Sequence, residues 1–194
     1  IVALGTNPEI FLAHFKHLQP IAMRLEIKQG INNCLLINDY YNSDLNSLGI
    51  ALSVLKQQAA KEHLHKRVIL SDIQQSGIPE NNLYTKVNKL LVEWEIDEVI
   101  GIGSAISAHK NAFTINGSFY QKRSDFENNF TRSKYNSSVI LIKGARTFEF
   151  EKISGLLQQK AHQTVLEINL NALINNLTVY RSLLKPTTKI MVMV

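Results

Sequence analysis

The chain of 194 residues is long enough for one well-packed domain with an appendage, and 45% hydrophobic with 19% charged residues is ordinary globular usage. Disordered and collagen-like classes are excluded by that composition. The formal charge of +5 is carried by scattered Lys and Arg residues with no dense basic run, which argues against nucleic acid and fits a nucleotide or phosphate ligand.

Asn7-Pro8-Glu9 is a helix start, with a cap, a proline at the first helical position and an early acid; the helix runs over Ile10 to Leu18 until Pro20 ends it. Residues 1–22 read as the tail of something upstream. From Met23 short apolar runs alternate with amphipathic stretches. Strands are expected at Leu25 to Lys28, Cys34 to Asn38, Val68 to Ser71, Glu98 to Ile102 and Val139 to Ile142, and helices near Ser47 to Gln57, Glu80 to Trp94 and Phe148 to Lys160. Asn111 to Ser137, richer in Asn, Ser and charge, reads as a short helix and loops. The alternation predicts an α/β fold: a Rossmann-like, mostly parallel sheet flanked by helices, over residues 23–161.

A second piece begins at about residue 162. Thr164 to Asn169 reads as a strand, the stretch to Leu184 as a helix, and Lys189 to Val194 as another strand after Pro186: the first β-α-β piece of a second domain. A buried-looking strand is a poor natural terminus, so the chain is expected to be part of a longer protein. No Gly or Pro lies between the two pieces, which predicts a semi-rigid joint. Apolar stretches fall far short of the roughly twenty residues of a spanning helix, and no signal peptide is visible, so a cytoplasmic location is expected. Cys34, the sole cysteine, lies in an apolar run, which excludes a disulfide scaffold and a cysteine zinc site. The six histidines show no metal-ligand spacing and read as solvated.

In an open α/β sheet the ligand crevice lies beyond the carboxyl ends of the strands, where loops and helix N-termini converge. The residues following the strands here are Asp39, Tyr41 and Asn42; Asp72; Gly103 and Ser104; and Lys143, Gly144 and Arg146. Lys143 can place a point charge on phosphate or carboxylate, and Arg146 can grip a carboxylate with two parallel bonds. Read without further context, Asp39 is also an ordinary turn or cap residue, and Lys143 and Arg146 are also solvated surface charges. Gly101-Ile102-Gly103-Ser104 invites a dinucleotide-loop reading but lacks the third glycine.

Two stretches resemble known families. Met23-Arg24-Leu25-Glu26, Leu36-Ile37-Asn38-Asp39-Tyr40-Tyr41-Asn42 and Val139-Ile140-Leu141-Ile142-Lys143-Gly144-Ala145-Arg146 together resemble the C-terminal domain of the Mur ligases, in their MurF branch. That resemblance implies an ATP- and Mg2+-dependent ligation of D-alanyl-D-alanine to UDP-N-acetylmuramoyl-tripeptide, in peptidoglycan synthesis. It carries nucleotide contacts onto Arg24 and Asp39, matches Tyr41 and Asn42 to the family's Tyr-Asn pair, and places Lys143 and Arg146 toward the incoming dipeptide. After that pair this chain has Ser43-Asp44-Leu45, where relatives usually carry Ala-Asn-Pro or similar. Residues 163–194 resemble the start of a fold-type III alanine racemase, in which a strand similar to Lys189 to Val194 runs into the lysine that holds pyridoxal phosphate. The two in this order resemble bifunctional fusions, which implies alanine as a further substrate and a homodimer through the racemase part.

The resemblance also indicates what this stretch lacks. No Gly-Lys-Thr or Gly-Lys-Ser loop for ATP phosphates occurs, nor a cofactor lysine after the last strand, so no catalytic residue and no metal ligand is assigned to it. Two other readings stay open: a non-catalytic nucleotide-binding or scaffolding module, and a racemase with an inert Mur-like N-terminal domain.

Overall fold

The computed structural model describes residues 22–60, 64–74, 76–159 and 169–191. The expected helix before Pro20, the strand from Thr164 to Ile168 and the last three residues lie outside them. Two compact units are distinguished, Ile1–Gln159 and Lys160–Val194.

In the first unit, six strands form one sheet: β1 Glu26–Gln29, β2 Leu35–Asp39, β3 His65–Ser71, β4 Glu98–Ile102, β5 Asn116–Tyr120 and β6 Ser138–Lys143, in the spatial order β1-β2-β6-β3-β4-β5. All neighbours run parallel except β1, which is antiparallel to β2. The β1–β2 hairpin turns through Asn32 and Asn33, both left-handed (φ 49° and 59°), a conformation that asparagine tolerates and that matches strand twist. β6 lies between β2 and β3 with every residue buried, the signature of a central parallel strand.

Two helices, α1 Leu45–Ala60 and α2 Glu80–Glu93, cover one face, where Leu48, Leu52, Leu83 and Val87 pack on Ile37, Val68, Leu70, Val99 and Leu141. On the other face α4 Arg123–Asn129 and α5 Glu151–Leu157 place Phe126, Ile153 and Leu157 on Leu36, Ile69, Ile100, Ile140 and Ile142. A short helix, α3 Ser104–Ala108, follows β4. Cys34 is buried in the second core, which pushes its thiol up, so it packs as a small hydrophobe. Trp94 is half-buried beside the first cluster, with the Lys56 ammonium 5.9 Å from its ring centre.

The expected mostly parallel sheet is present, with two corrections. The stretch read as a short helix and loops contains β5 as well as α4. Asn116-Gly117-Ser118 has weak strand preference, but the Phe119 ring fills the space over Gly101 and Gly117, where added Cβ atoms would collide with it, so an aromatic side chain makes up for two missing ones. The helix expected from Phe148 to Lys160 is instead a 3-10 turn, Arg146–Phe148, then Glu149 in the left-handed region (φ 51°), then α5. The break lets Phe150 bury against Gly144, whose missing side chain leaves room for the ring.

Asp44 begins α1. Its carboxylate accepts from the Ser47 amide at 2.9 Å and the Ser47 hydroxyl at 2.6 Å, and these bonds hold the carboxyl below its ordinary value. A depressed folded pKa means the stabilisation is present above the unfolded value near 3.8 and is lost as pH falls through the folded one. Asp44→Ala should therefore cost about 0.5–2 kcal/mol in urea unfolding at neutral pH, with the difference from wild type shrinking below about pH 4.

In the second unit the described secondary structure is one helix, α6 Leu170–Leu183, capped by Asn169 Oδ1 accepting from the Ala172 amide at 3.0 Å. Its Leu170, Leu173 and Ile174 are exposed. Lys189–Met191, expected in a strand, are in none.

Candidate functional site

The connections from β2 to β3 and from β3 to β4 run through α1 and α2 on one face. The connection from β5 back to β6 runs through α4 on the other, and α5 after β6 stays on that face. β6 is thus flanked on both sides by strands whose following helix lies on the opposite face. Chains leaving neighbouring strand ends in opposite directions open a crevice, and by this rule its place is over the ends of β2, β6 and β3.

Asp39 and Lys143 are register partners at the ends of β2 and β6. Lys143 is fully buried; its Nζ stands 2.7 Å from Asp39 Oδ2 and donates to the Asn42 carbonyl at 3.0 Å. Its charge is directed at Asp39 and the loop after β2, not at open solvent. The Asp39 side chain is 14% exposed, and its second oxygen has no partner among the described residues, so a hydrogen-bond acceptor remains at the crevice rim.

Because β1 is antiparallel to β2 with Glu26 opposite Asn38, the residues before Glu26 arrive beside the end of β2. Met23 and Leu25, on either side of Arg24, both have left-handed backbones (φ 65° and 50°), a costly arrangement for such residues. It leaves the exposed Arg24 guanidinium 4.6 Å from the centre of the half-exposed Tyr41 ring. Arg146, also exposed, reaches Met23 Sδ at 2.8 Å. All six candidate residues therefore gather at one end of the β1–β2–β6 edge: Arg24 stacked on Tyr41, Asp39 and the Asn42 backbone tied by Lys143, and Arg146 one residue from Arg24 through Met23. Arg146 stands in the 3-10 turn that precedes α5.

Across the crevice, Asp72 accepts from the amides of Ile106 (2.8 Å) and Ala105 (3.2 Å), with the Tyr84 hydroxyl at 3.5 Å. The start of α3 is thus filled by the chain's own carboxylate, so Gly101–Ser104 does not form a dinucleotide loop. Burial, then the Asp72 charge, pushes the Tyr84 hydroxyl above its ordinary range. Ser71, at the end of β3 and not among the predicted site residues, accepts from the Ala145 amide at 2.9 Å and so fixes the Lys-Gly-Ala-Arg turn; the signal for it in the sequence is a hydroxyl closing a buried apolar run. Ser154 of α5 likewise donates to buried Asn38 Oδ1 at 3.0 Å. Asn38 Nδ2 and Ser43 Oγ are buried without a partner among the described residues, Asn38 near the end of β2 and Ser43 in the loop that follows it. Among the described residues no three His, Cys, Asp or Glu side chains converge as metal ligands, and no helix is long and apolar enough to cross a membrane.

No family model matches the chain. It is 22% identical over 159 residues to the UDP-N-acetylmuramoyl-tripeptide–D-alanyl-D-alanine ligase of Escherichia coli (strain K12), covering 81% of this chain and 34% of that protein. The chain thus spans about a third of the length of the relative it matches. Among solved structures it resembles MurF from Acinetobacter baumannii, with a TM-score of 0.62 and 22% identity, covering 80% of this chain and 34% of that one. It also resembles MurF from Thermotoga maritima, solved in complex with ADP, with a TM-score of 0.55 and 14% identity, covering 79% and 34%. The six-stranded, mostly parallel sheet with its flanking helices has the fold of the MurF ligase C-terminal domain, and the chain is similar in sequence to that ligase.

Proposed function

We propose that this chain is the nucleotide-closing domain of a ligase that joins D-alanyl-D-alanine to UDP-N-acetylmuramoyl-tripeptide at the expense of ATP. The observation that carries the reading is the end of β2, where Asp39 keeps one oxygen free and Arg24 is held over the ring of Tyr41, two residues on. On this reading Asp39 accepts from the nucleotide's ribose hydroxyls, and Arg24 with Tyr41 faces the neighbouring part of the nucleotide. Lys143 fixes Asp39 and the Asn42 backbone, and Arg146 meets the carboxylate of the incoming dipeptide. No three His, Cys, Asp or Glu side chains converge among the described residues, and the reading assigns the magnesium to none of them. Closure of such a domain over a reactive acyl phosphate excludes water from it.

The finer part of the reading is that residues 162–194 open an alanine racemase domain fused to the ligase, acting as a dimer. It rests on the sequence resemblance around Lys189 to Val194. The described residues of that unit include no strand and hence no strand-end lysine, so they do not form a pyridoxal phosphate site and no step is derived through that group.

The test is made on the intact gene product in the cytoplasmic fraction. ATP-dependent phosphate release should require both UDP-N-acetylmuramoyl-tripeptide and D-alanyl-D-alanine. Asp39→Asn and Arg24→Ala should each lower kcat/KM for ATP by about tenfold or more, the size of a lost charge-assisted hydrogen bond. Phosphate release that ignores the dipeptide, or variants that keep full kcat/KM for ATP, would overturn the ligase reading. L-to-D conversion of alanine by the same protein tests the racemase reading separately.

A further inference from the structure

β5 is polar on a face where its neighbours are apolar. Its register pairs Asn116 with Glu98, Ser118 with Ile100 and Tyr120 with Ile102, so Asn116, Ser118 and Tyr120 point to the same side as the second core. A parallel sheet covered by helices normally carries aliphatic side chains there. Instead a recess of about 280 Å³ lies over this part of the sheet, between Arg67, Glu98 and Ser118 below and Asn129, Thr131 and Tyr135 around it. It begins at the amino ends of β3, β4 and β5, away from the crevice over β2 and β6.

Its frame is held without a ligand. Arg67 Nε stands 3.0 Å from Glu98 Oε2, an Arg67 terminal nitrogen donates to the Lys134 carbonyl at 2.5 Å, and the guanidinium lies 5.4 Å from the centre of the Tyr135 ring. Tyr135 is buried and stacked on Phe130 at 5.2 Å. Walls fixed in this way lose little freedom when something binds. The floor charges of Arg67 and Glu98 cancel each other, and Lys134, the further cation of the lining, is exposed, where water and salt screen it.

What remains is hydrogen-bonding capacity. The second Glu98 oxygen, the second terminal nitrogen of Arg67 and the hydroxyls of Ser118, Tyr120 and Thr131 have no partner among the described residues. Hydroxyl groups of a ligand both donate and accept, so several of them on one small frame meet such a mixed set best. The volume lies just below the usual range for drug-sized ligands, which limits the occupant to about one ring. We propose that this recess binds a small uncharged polyhydroxylated molecule, one sugar ring in size.

The test is a titration of the isotope-labelled 194-residue chain with methyl β-D-glucopyranoside, followed through its backbone amide signals, with glycine as a zwitterionic control. The expected result is saturable shifts clustered at Glu98, Ser118, Asn129 and Thr131, with a Kd on the order of 1 mM. Ser118→Leu, which fills the recess, should weaken binding at least about tenfold, and Thr131→Val, which removes one hydroxyl at the rim, several-fold. If Ser118→Leu does not fold, Thr131→Val still decides. Shifts that do not saturate, that fall outside the recess, that persist unchanged in the folded variants, or that glycine reproduces would each overturn the proposal.

Discussion

Asp39→Ala is expected to destabilise the domain by about 3–5 kcal/mol, because it leaves the Lys143 ammonium, only 1% exposed, in the interior without its counter-ion. The Asn42 carbonyl alone does not offset that desolvation. Lys143→Met should cost less, about 1–2 kcal/mol: methionine keeps most of the buried stem volume, and the partly exposed Asp39 can turn its freed oxygen to water. The double variant Asp39→Ala, Lys143→Met should lie above Asp39→Ala alone, since no buried charge is left uncompensated. Urea unfolding of the four proteins checks the order. A Lys143→Met variant less stable than Asp39→Ala would show that the pair is not the element holding the crevice. Asparagine keeps an acceptor for the Lys143 ammonium but not its counter-charge, so nucleotide affinity at Asp39 is read in that variant, not in alanine, and beside its own unfolding curve.

Gly103→Ala is the second large effect, at about 3 kcal/mol or more. Gly103 has φ 145° and ψ 163°, a region that side-chain-bearing residues rarely enter, and an added Cβ would overlap the Asp72 carboxyl group. Two costs combine: backbone strain, and displacement of the carboxylate that satisfies the Ala105 and Ile106 amides. Gly49→Ala is the control. It sits inside α1 with nothing within 4 Å of the new methyl group, so it should stabilise by about 0.5–1 kcal/mol. Thermal unfolding of the two variants should move in opposite directions, and equal shifts would refute this account of Gly103.

Much of the architecture was legible because the buried strands are continuous apolar runs. Glu98–Ile102 lies where its sequence puts it, and the bounds of β2 and β6 differ by one residue at each end. β5 was not legible, since its strand character comes from Phe119 covering Gly101 of the neighbouring β4 as well as Gly117 of its own strand, and the cross-strand contact is one that local sequence does not contain. The break at Glu149 has the same origin: burial of Phe150 against Gly144 overrides an amphipathic pattern that on its own favours one helix. For the candidate site, the strand-end rule put Asp39, Lys143 and Arg146 on one edge. It did not show that Lys143 is used up by Asp39, because the two are 104 residues apart and only the insertion of β6 beside β2 brings them together. Arg24 came from the resemblance alone, and the antiparallel β1 explains how it reaches that edge.

The place of β6 has a consequence for how the chain acquires its structure. The last strand of the sheet in sequence is central in space, so β2 and β3 have no direct partner in each other and wait, with open edges, for a segment about a hundred residues beyond Asp39. Local hairpins and helices can form early, but the sheet cannot close until that segment threads between its two halves. Folding is therefore expected to hinge on one long-range closure and to be slow for the chain's size. During synthesis the half-formed sheet exposes two pairing edges that can join another copy before β6 emerges, so the nascent chain is most open to aggregation just before its centre is made.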